Sequence, residues 1–277
     1  MRTALRAGLV ALAVVGSAIV VLVLTIANGD AGSGSAAGSR SGAGAGAAPR
    51  ADAGAGAGAG SVRVMTLGYS VEHRPIEVIV RGDPHAPHPT LVVGAIHGNE
   101  TAGIAVTRRL VAGPAPPGSA LWIIPDLNPD GVAAGTRQNA HGVDLNRNSP
   151  YRWRALYARG DPQYGGPRPL SEPESRLVHA LILRLAPGTA IWFHQPLGVT
   201  DRSGGNVRVE RRFAALSGLP LRELTRYPGS VTSWENHRFP SGTAFVVELP
   251  AGRSSAPAVA RFAAAVLRLA GEAAPPQ

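Results

Sequence analysis

The 277-residue chain contains no cysteine and no lysine. Without cysteine there can be no thiol nucleophile, thiolate-bound zinc, iron–sulfur cluster or disulfide framework, although an extracytoplasmic location stays open. Without lysine, all 27 cations set against 18 acidic residues are arginine, and the formal charge is +9. Such a charge ordinarily points to nucleic acid or an anionic membrane as partner. Here it accompanies enrichment in Ala, Gly, Pro and Val, a compositional bias in which every basic slot has become arginine. Aromatic residues make up only 5% of the chain and are not interleaved with the arginines, so no nucleic-acid partner is expected.

Composition divides the chain into three parts. The run Ala7 to Ala27 is apolar and uncharged, and Arg2 and Arg6 precede it. At about 1.5 Å per residue it is long enough for a bilayer core of roughly 30 Å, which predicts a signal anchor or transmembrane helix over residues 1–27. The basic N-terminal flank orients the chain beyond Ala27 to the outside, giving a single-pass membrane protein with an extracytoplasmic domain. Cleavage after Ala27 and secretion is the alternative, although Thr25-Ile26-Ala27 is a poor small-x-small site. Residues 28–60 are almost entirely Ala, Gly and Ser and have little to bury, which predicts a disordered linker with a typical span of roughly 30 Å. Residues 61–277 form one domain of ordinary size.

Within that domain apolar strands alternate with helical spacing. A hairpin is expected from Arg63 to Gly68 and Ile76 to Val80 around Glu72-His73-Arg74-Pro75. Thr90 to Ile96, Ala120 to Ile124, Ala190 to Phe193 and Thr243 to Val247 read as strands, and Glu100 to Val111, Ser171 to Leu185 and Ala256 to Leu269 as helices. A long polar loop runs from Ile124 through Asn148. This alternation predicts an α/β fold with a central, mixed and largely parallel twisted sheet covered by helices on both faces. Ligands of such sheets bind beyond the carboxyl ends of the strands.

Those ends carry the chemistry. The first parallel strand runs into His97-Gly98-Asn99-Glu100, a later one into His194-Gln195-Pro196, and the last into Glu248. His97 and Glu100 alone are a weak pair, but His194 at a second strand end supplies a third ligand type. Two His and one Glu with an open fourth position suit catalytic zinc, and a further carboxylate, Glu248, suits activation of a water. Glu248 follows Phe245-Val246-Val247, where a carboxyl is seldom placed for packing and where burial should raise its pKa.

Six ordered motifs carry a resemblance. They are His97-Gly98-Asn99-Glu100, Asn128-Pro129-Asp130-Gly131, Arg137-x-Asn139, Gly142 to Asn148, His194-Gln195-Pro196 and Val247-Glu248-Leu249-Pro250. Together they resemble zinc metallocarboxypeptidases, and within that family the bacterial murein peptide amidase branch, which releases diaminopimelate from cell-wall peptides. The resemblance implies one zinc ion on His97, Glu100 and His194, with Glu248 as general base. It also implies that Arg137 polarises the scissile carbonyl, that Asn146 and Arg147 grip the free C-terminal carboxylate of a peptide substrate, and that Tyr227 stands in for a mobile tyrosine. Asn99 replaces an arginine of the pancreatic relatives, and Val231, after Gly229-Ser230, stands where those relatives help set side-chain preference. A deacylase of the aspartoacylase or succinylglutamate desuccinylase type shares the zinc set, and a non-catalytic wall-binding module is the reading from another class.

The remaining conspicuous groups take structural readings. His85 and His88 lie in a proline-rich turn, and His179 and His237 are structural or solvated. His141 sits in the motif loop, either at the surface or against substrate. Arg208, Arg211 and Arg212 form the solvated face of a helix. Asn128-Pro129-Asp130-Gly131 is a turn that shapes the loop carrying Arg137.

Overall fold

The computed structural model describes residues 62–273, which belong to one compact unit. The expected anchor and linker, residues 1–27 and 28–60, lie outside the described residues. Among those described, no helix is long and apolar enough to cross a membrane.

The sheet begins with an antiparallel hairpin of β1 (Val62–Tyr69) and β2 (Pro75–Gly82). Its turn is fastened by Asp130, which accepts hydrogen bonds from Ser70 Oγ at 2.7 Å and from the Glu72 amide at 2.9 Å. Three short, buried strands follow: β3 (Thr90–Val93), β4 (Ala120–Ile124) and β5 (Thr189–His194). β6 (Leu197–Asp201), β7 (Leu221–Arg222) and β8 (Thr243–Pro250) complete one sheet of order β1-β2-β4-β3-β5-β8-β6-β7. The central four strands are mutually parallel, whereas β2 meets β4 and β6 meets β8 antiparallel. The mixed, largely parallel α/β sheet is therefore as the periodicity predicts.

Among the described residues, six helices cover it: α1 (Ala102–Ala112), α2 (Pro129–Ala134), α3 (Pro173–Leu185), α4 (Val207–Ser217), α5 (Val231–Arg238) and α6 (Ala256–Ala273). Because strand side chains alternate between faces, each strand feeds two apolar layers. Ile191 and Phe193 of β5 join Phe245, Val247 and Leu249 of β8 in the layer that includes Phe213 of α4 and Phe262 of α6. Ala190, Trp192, Ala244 and Val246 face the other layer, with Val178 and Ile182 of α3 and Trp234 of α5. The same parity sends His194 and Glu248 to that second face.

Several boundaries differ from those read in the sequence. β3 ends at Val93 rather than Ile96, and 94–101 is irregular chain before α1. The polar loop through Asn148 contains α2 and a short 3₁₀ turn, Leu145–Arg147. Asn128 opens α2 by accepting from the Gly131 amide at 3.0 Å, so the expected turn is a helix N-cap. Its amide donates to the carbonyls of Ile96 and Arg137, which supports the predicted shaping of the Arg137 loop. The short β6 and β7 have too little sequence pattern to be read from periodicity.

Glu235 on α5 is buried and unrelated to the strand ends. Trp192 Nε1 donates to its Oε2 at 3.2 Å, while Oε1 has no partner among the described residues. Burial pushes this carboxyl up to about 8. A carboxyl that holds its proton more tightly when folded leaves stability intact below the unfolded pKa near 4.5, and stability is lost as pH rises from there through the folded value. Wild-type protein should therefore lose stability, by an amount on the order of a few kcal/mol, between about pH 5 and pH 8. Glu235→Gln should flatten that slope, which urea midpoints at the two pH values will measure.

Candidate metal centre and substrate cavity

His97 and Glu100 lie in the irregular chain between β3 and α1, and His194 ends β5. The three are buried and offer ligand atoms that all lie within 4.8 Å of one another. His97 Nδ1 is 3.0 Å from Glu100 Oε1 and 3.1 Å from His194 Nδ1, and His194 Nδ1 is 2.9 Å from Glu100 Oε2. A zinc ion with ligand distances of about 2.0–2.1 Å sets tetrahedral ligand atoms about 3.3 Å apart, so the three donors fit one such ion closely. Both imidazoles present Nδ1 inward, with ring centroids 4.7 Å apart.

Asp144 fixes this arrangement from behind. Its Oδ1 lies 3.0 Å from His97 Nε2 and accepts from the Asn146 amide at 2.9 Å, and its Oδ2 accepts from Arg137 Nε at 2.9 Å. With Nε2 engaged by the carboxylate, Nδ1 of His97 is left as the ligand nitrogen, and ring orientation is set. Burial would raise Asp144, but His97 and Arg137 outweigh it and hold the carboxyl well below the usual range. Burial likewise would raise Glu100, yet His97 and His194 keep it ionised. Against its own burial, His97 is raised by Asp144 and Glu100, so the centre has a negative potential that favours a cation. His194 Nε2 is buried without a partner among the described residues.

Glu248 stands beside the metal donors because β5 and β8 pair in parallel register with His194 opposite Glu248. Burial raises its carboxyl, as its aliphatic flanks predict. Arg137 Nη1 donates to Glu100 Oε1 at 3.0 Å; its Nη2 makes no hydrogen bond among the described residues. Asn146 and Arg147 come from the 3₁₀ turn. Asn146 Oδ1 accepts from the Val231 amide at 3.0 Å, and Arg147 donates to the Asn146 carbonyl at 2.9 Å and to Gln163 Oε1 at 3.0 Å. Tyr227 stacks on Arg147, whose guanidinium carbon is 4.1 Å from the ring centroid. Gly229, with φ at +75°, runs so close to the Arg147 carbonyl that a Cβ there would collide with it. This contact seats the Tyr227 loop against the 3₁₀ turn.

A cavity of about 280 Å³ brings these groups together, and all the sequence-predicted site residues line it: His97, Glu100, Arg137, Asn146, Arg147, His194, Tyr227 and Glu248. Val231 does not. Its side chain is buried in the core cluster that also contains Trp234, and Ser230 and Thr232 line the cavity instead. Asn99 is exposed and opens on another surface depression, so it takes no part. His141 pairs with Glu172 at 2.7 Å away from the cavity, and His237 is exposed and stacks on Tyr151. His85 and His88 are exposed, His179 is buried against Trp234, and Arg212 pairs with Glu272. Asp144 is a site residue that sequence reasoning does not single out. Its signal is the one that exposes Glu248, an acid between apolar Val143 and Leu145 that are both buried.

Residues 118–195 match a family profile described as zinc carboxypeptidase. Murein peptide amidase A of Escherichia coli K12 is 31% identical over 157 residues, which cover 52% of this chain and 64% of that protein. The Vibrio campbellii protein of the same name is 31% identical over 179 residues, covering 58% of this chain and 68% of its own. The solved murein-tripeptide amidase of E. coli O157 superposes with a TM-score of 0.60 at 27% identity, covering 80% of this chain and 96% of that one. Carboxypeptidase A from Helicoverpa armigera, at 19% identity and a TM-score of 0.64, shares the fold; it covers 77% of this chain and 69% of that one.

Proposed function

As the chain belongs to the zinc carboxypeptidase family, we propose that it hydrolyses the C-terminal amide bond of short peptides, and that its substrates are cell-wall stem peptides carrying a γ-D-glutamyl-diaminopimelate linkage. The observation that carries this reading is the single cavity that holds His97, Glu100 and His194, the neighbouring Glu248, and the Asn146–Arg147 pair. A metal held by His97, Glu100 and His194 would acidify a water and polarise the amide carbonyl.

The chain's own residues account for the rest. Glu248, with its raised pKa, takes a proton from the attacking water and returns it to the nitrogen of the departing amine. Arg137 stands over Glu100 with donors in reserve for the oxygen on which negative charge develops. Arg147 offers a planar fork to the free carboxylate of the substrate, and Asn146, fastened by the Val231 amide, sits next to it. Tyr227 covers Arg147 and closes that side of the cavity. Substrate class draws support from the amidase names of the relatives. Anchoring by residues 1–27, with residues 28–60 as tether, would put the enzyme at the outer membrane face where such peptides occur.

The test is incubation of the full, zinc-loaded chain with stem peptides and ordinary α-linked peptides, with products read by mass spectrometry. Release of free diaminopimelate from the γ-linked tripeptide is expected. Release of an acyl acid alone, or no cleavage of any member of the panel, would refute the reading.

A further inference from the structure

We propose that Arg226, held by the buried carboxylate of Asp201, selects the departing amino acid by pairing with a carboxylate at the far end of its side chain. This inference rests on the amidase reading above and adds to it a chemical requirement on the leaving residue.

Strand register places the pair. β6 runs against β8 with Val199 opposite Glu248 and Thr200 opposite Val247. Continuing that register sets Asp201 beside Val246, two residues from Glu248 and about 7 Å deeper along the strand. Asp201 and Val246 both line the cavity, as do Arg226 and Thr232. The proposed metal donors and Glu248 occupy the end where the amide is cut, and Asn146 and Arg147 take the main-chain carboxylate. The side chain of the leaving residue is thereby directed at the floor formed by Asp201, Arg226, Thr232 and Val246.

Asp201 is a support and Arg226 the reader. The Asp201 side chain is 4% exposed and accepts from Ser203 Oγ at 2.6 Å, from the Leu224 amide at 2.9 Å and from Arg226 Nη1 at 2.7 Å. Three donors on two oxygens nearly exhaust its capacity, so its work is to fix the guanidinium. Arg226 is 37% exposed, and Asp201 is its sole carboxylate partner among the described residues. Arg226 also walls an adjoining cavity of about 390 Å³ that contains Arg152, Arg154 and no acidic side chain. A guanidinium carries five N–H donors, and the edge not engaged by Asp201 is available for a second, bidentate carboxylate. Diaminopimelate ends its side chain in a carboxylate as well as an ammonium and meets this requirement. Lysine ends in an ammonium alone and would set like charge against Arg226.

A charge-assisted pair in a partly exposed site should discriminate about 10- to 100-fold. The experiment is internal competition: the full, zinc-loaded chain is given equal amounts of the γ-linked diaminopimelate tripeptide and its lysine counterpart, and the product ratio is read by mass spectrometry. That ratio is independent of how much folded enzyme is present. Wild type should favour diaminopimelate by the stated factor, and amidation of the distal carboxyl should reduce that peptide to the lysine level. Arg226→Gln should bring the ratio near one, and Arg226→Glu should reverse it toward lysine. An unchanged ratio in Arg226→Gln, or a wild type that cleaves both peptides equally, overturns the inference. Cleavage of neither peptide instead removes the amidase reading, and this inference with it.

Discussion

Glu248→Gln is expected to lower turnover by about 10³-fold or more while leaving bound zinc unchanged. Removing a positioned general base typically costs 10²- to 10⁴-fold, and about 4 kcal/mol of barrier corresponds to 10³. The substitution is close to isosteric, and the remaining amide oxygen can still face the Leu197 amide, which lies 3.5 Å from Glu248 Oε2. His97, Glu100 and His194 contain every donor of the converging set, so metal content should be preserved. Single-turnover rates on the γ-linked tripeptide, with zinc measured on the same sample, make the comparison. Hydrolysis within about tenfold of wild type would exclude Glu248 from proton transfer.

His194→Ala should have its largest effect on the metal itself. Removing groups that merely orient metal ligands costs about 10- to 100-fold in affinity, so deletion of a ligand imidazole should exceed about 100-fold. The variant leaves one imidazole and one carboxylate where zinc is held by three protein ligands, a poorer cage for the same ion. Asp144→Asn should fall inside the smaller range, because it keeps all three donors and disturbs only the hydrogen bond that orients His97. Elemental analysis after dialysis against a graded chelator separates the two variants. Equal zinc retention by His194→Ala and wild type would remove His194 from the ligand set.

Much of the cavity is legible in the sequence because its groups break local rules. Glu248 interrupts an aliphatic run, His97 and His194 end strands, and Asn146 and Arg147 lie in a motif loop, so pattern and motif point the same way. The groups that sequence does not reveal depend on partners distant along the chain. Asp144 acquires its role from His97 and Arg137, and nothing in its own neighbourhood names either. Asp201 and Arg226 lie on or near β6 and β7, strands too short to show periodicity. Val231 can be placed by analogy beside the cavity, but its side chain is packed into the core at the start of α5. Fold class is easier to read than boundaries because burial on both sheet faces leaves long apolar runs, whereas strand ends are decided by irregular segments such as 94–101.

The pairing of His194 with Glu248 across β5 and β8 imposes a condition on chain length as well as on residue identity. A conservative replacement within Thr243–Val247 alters one contact and keeps the Glu248 carboxylate where it is. Insertion or deletion of one residue in that stretch inverts every later side chain, sending Glu248 toward Phe213 and Phe262 and bringing an aliphatic residue to the cavity. Sequence drift in β8 is therefore open to substitution but closed to odd-numbered changes in length. Surface turns such as 152–162, which carry no such parity, can absorb them.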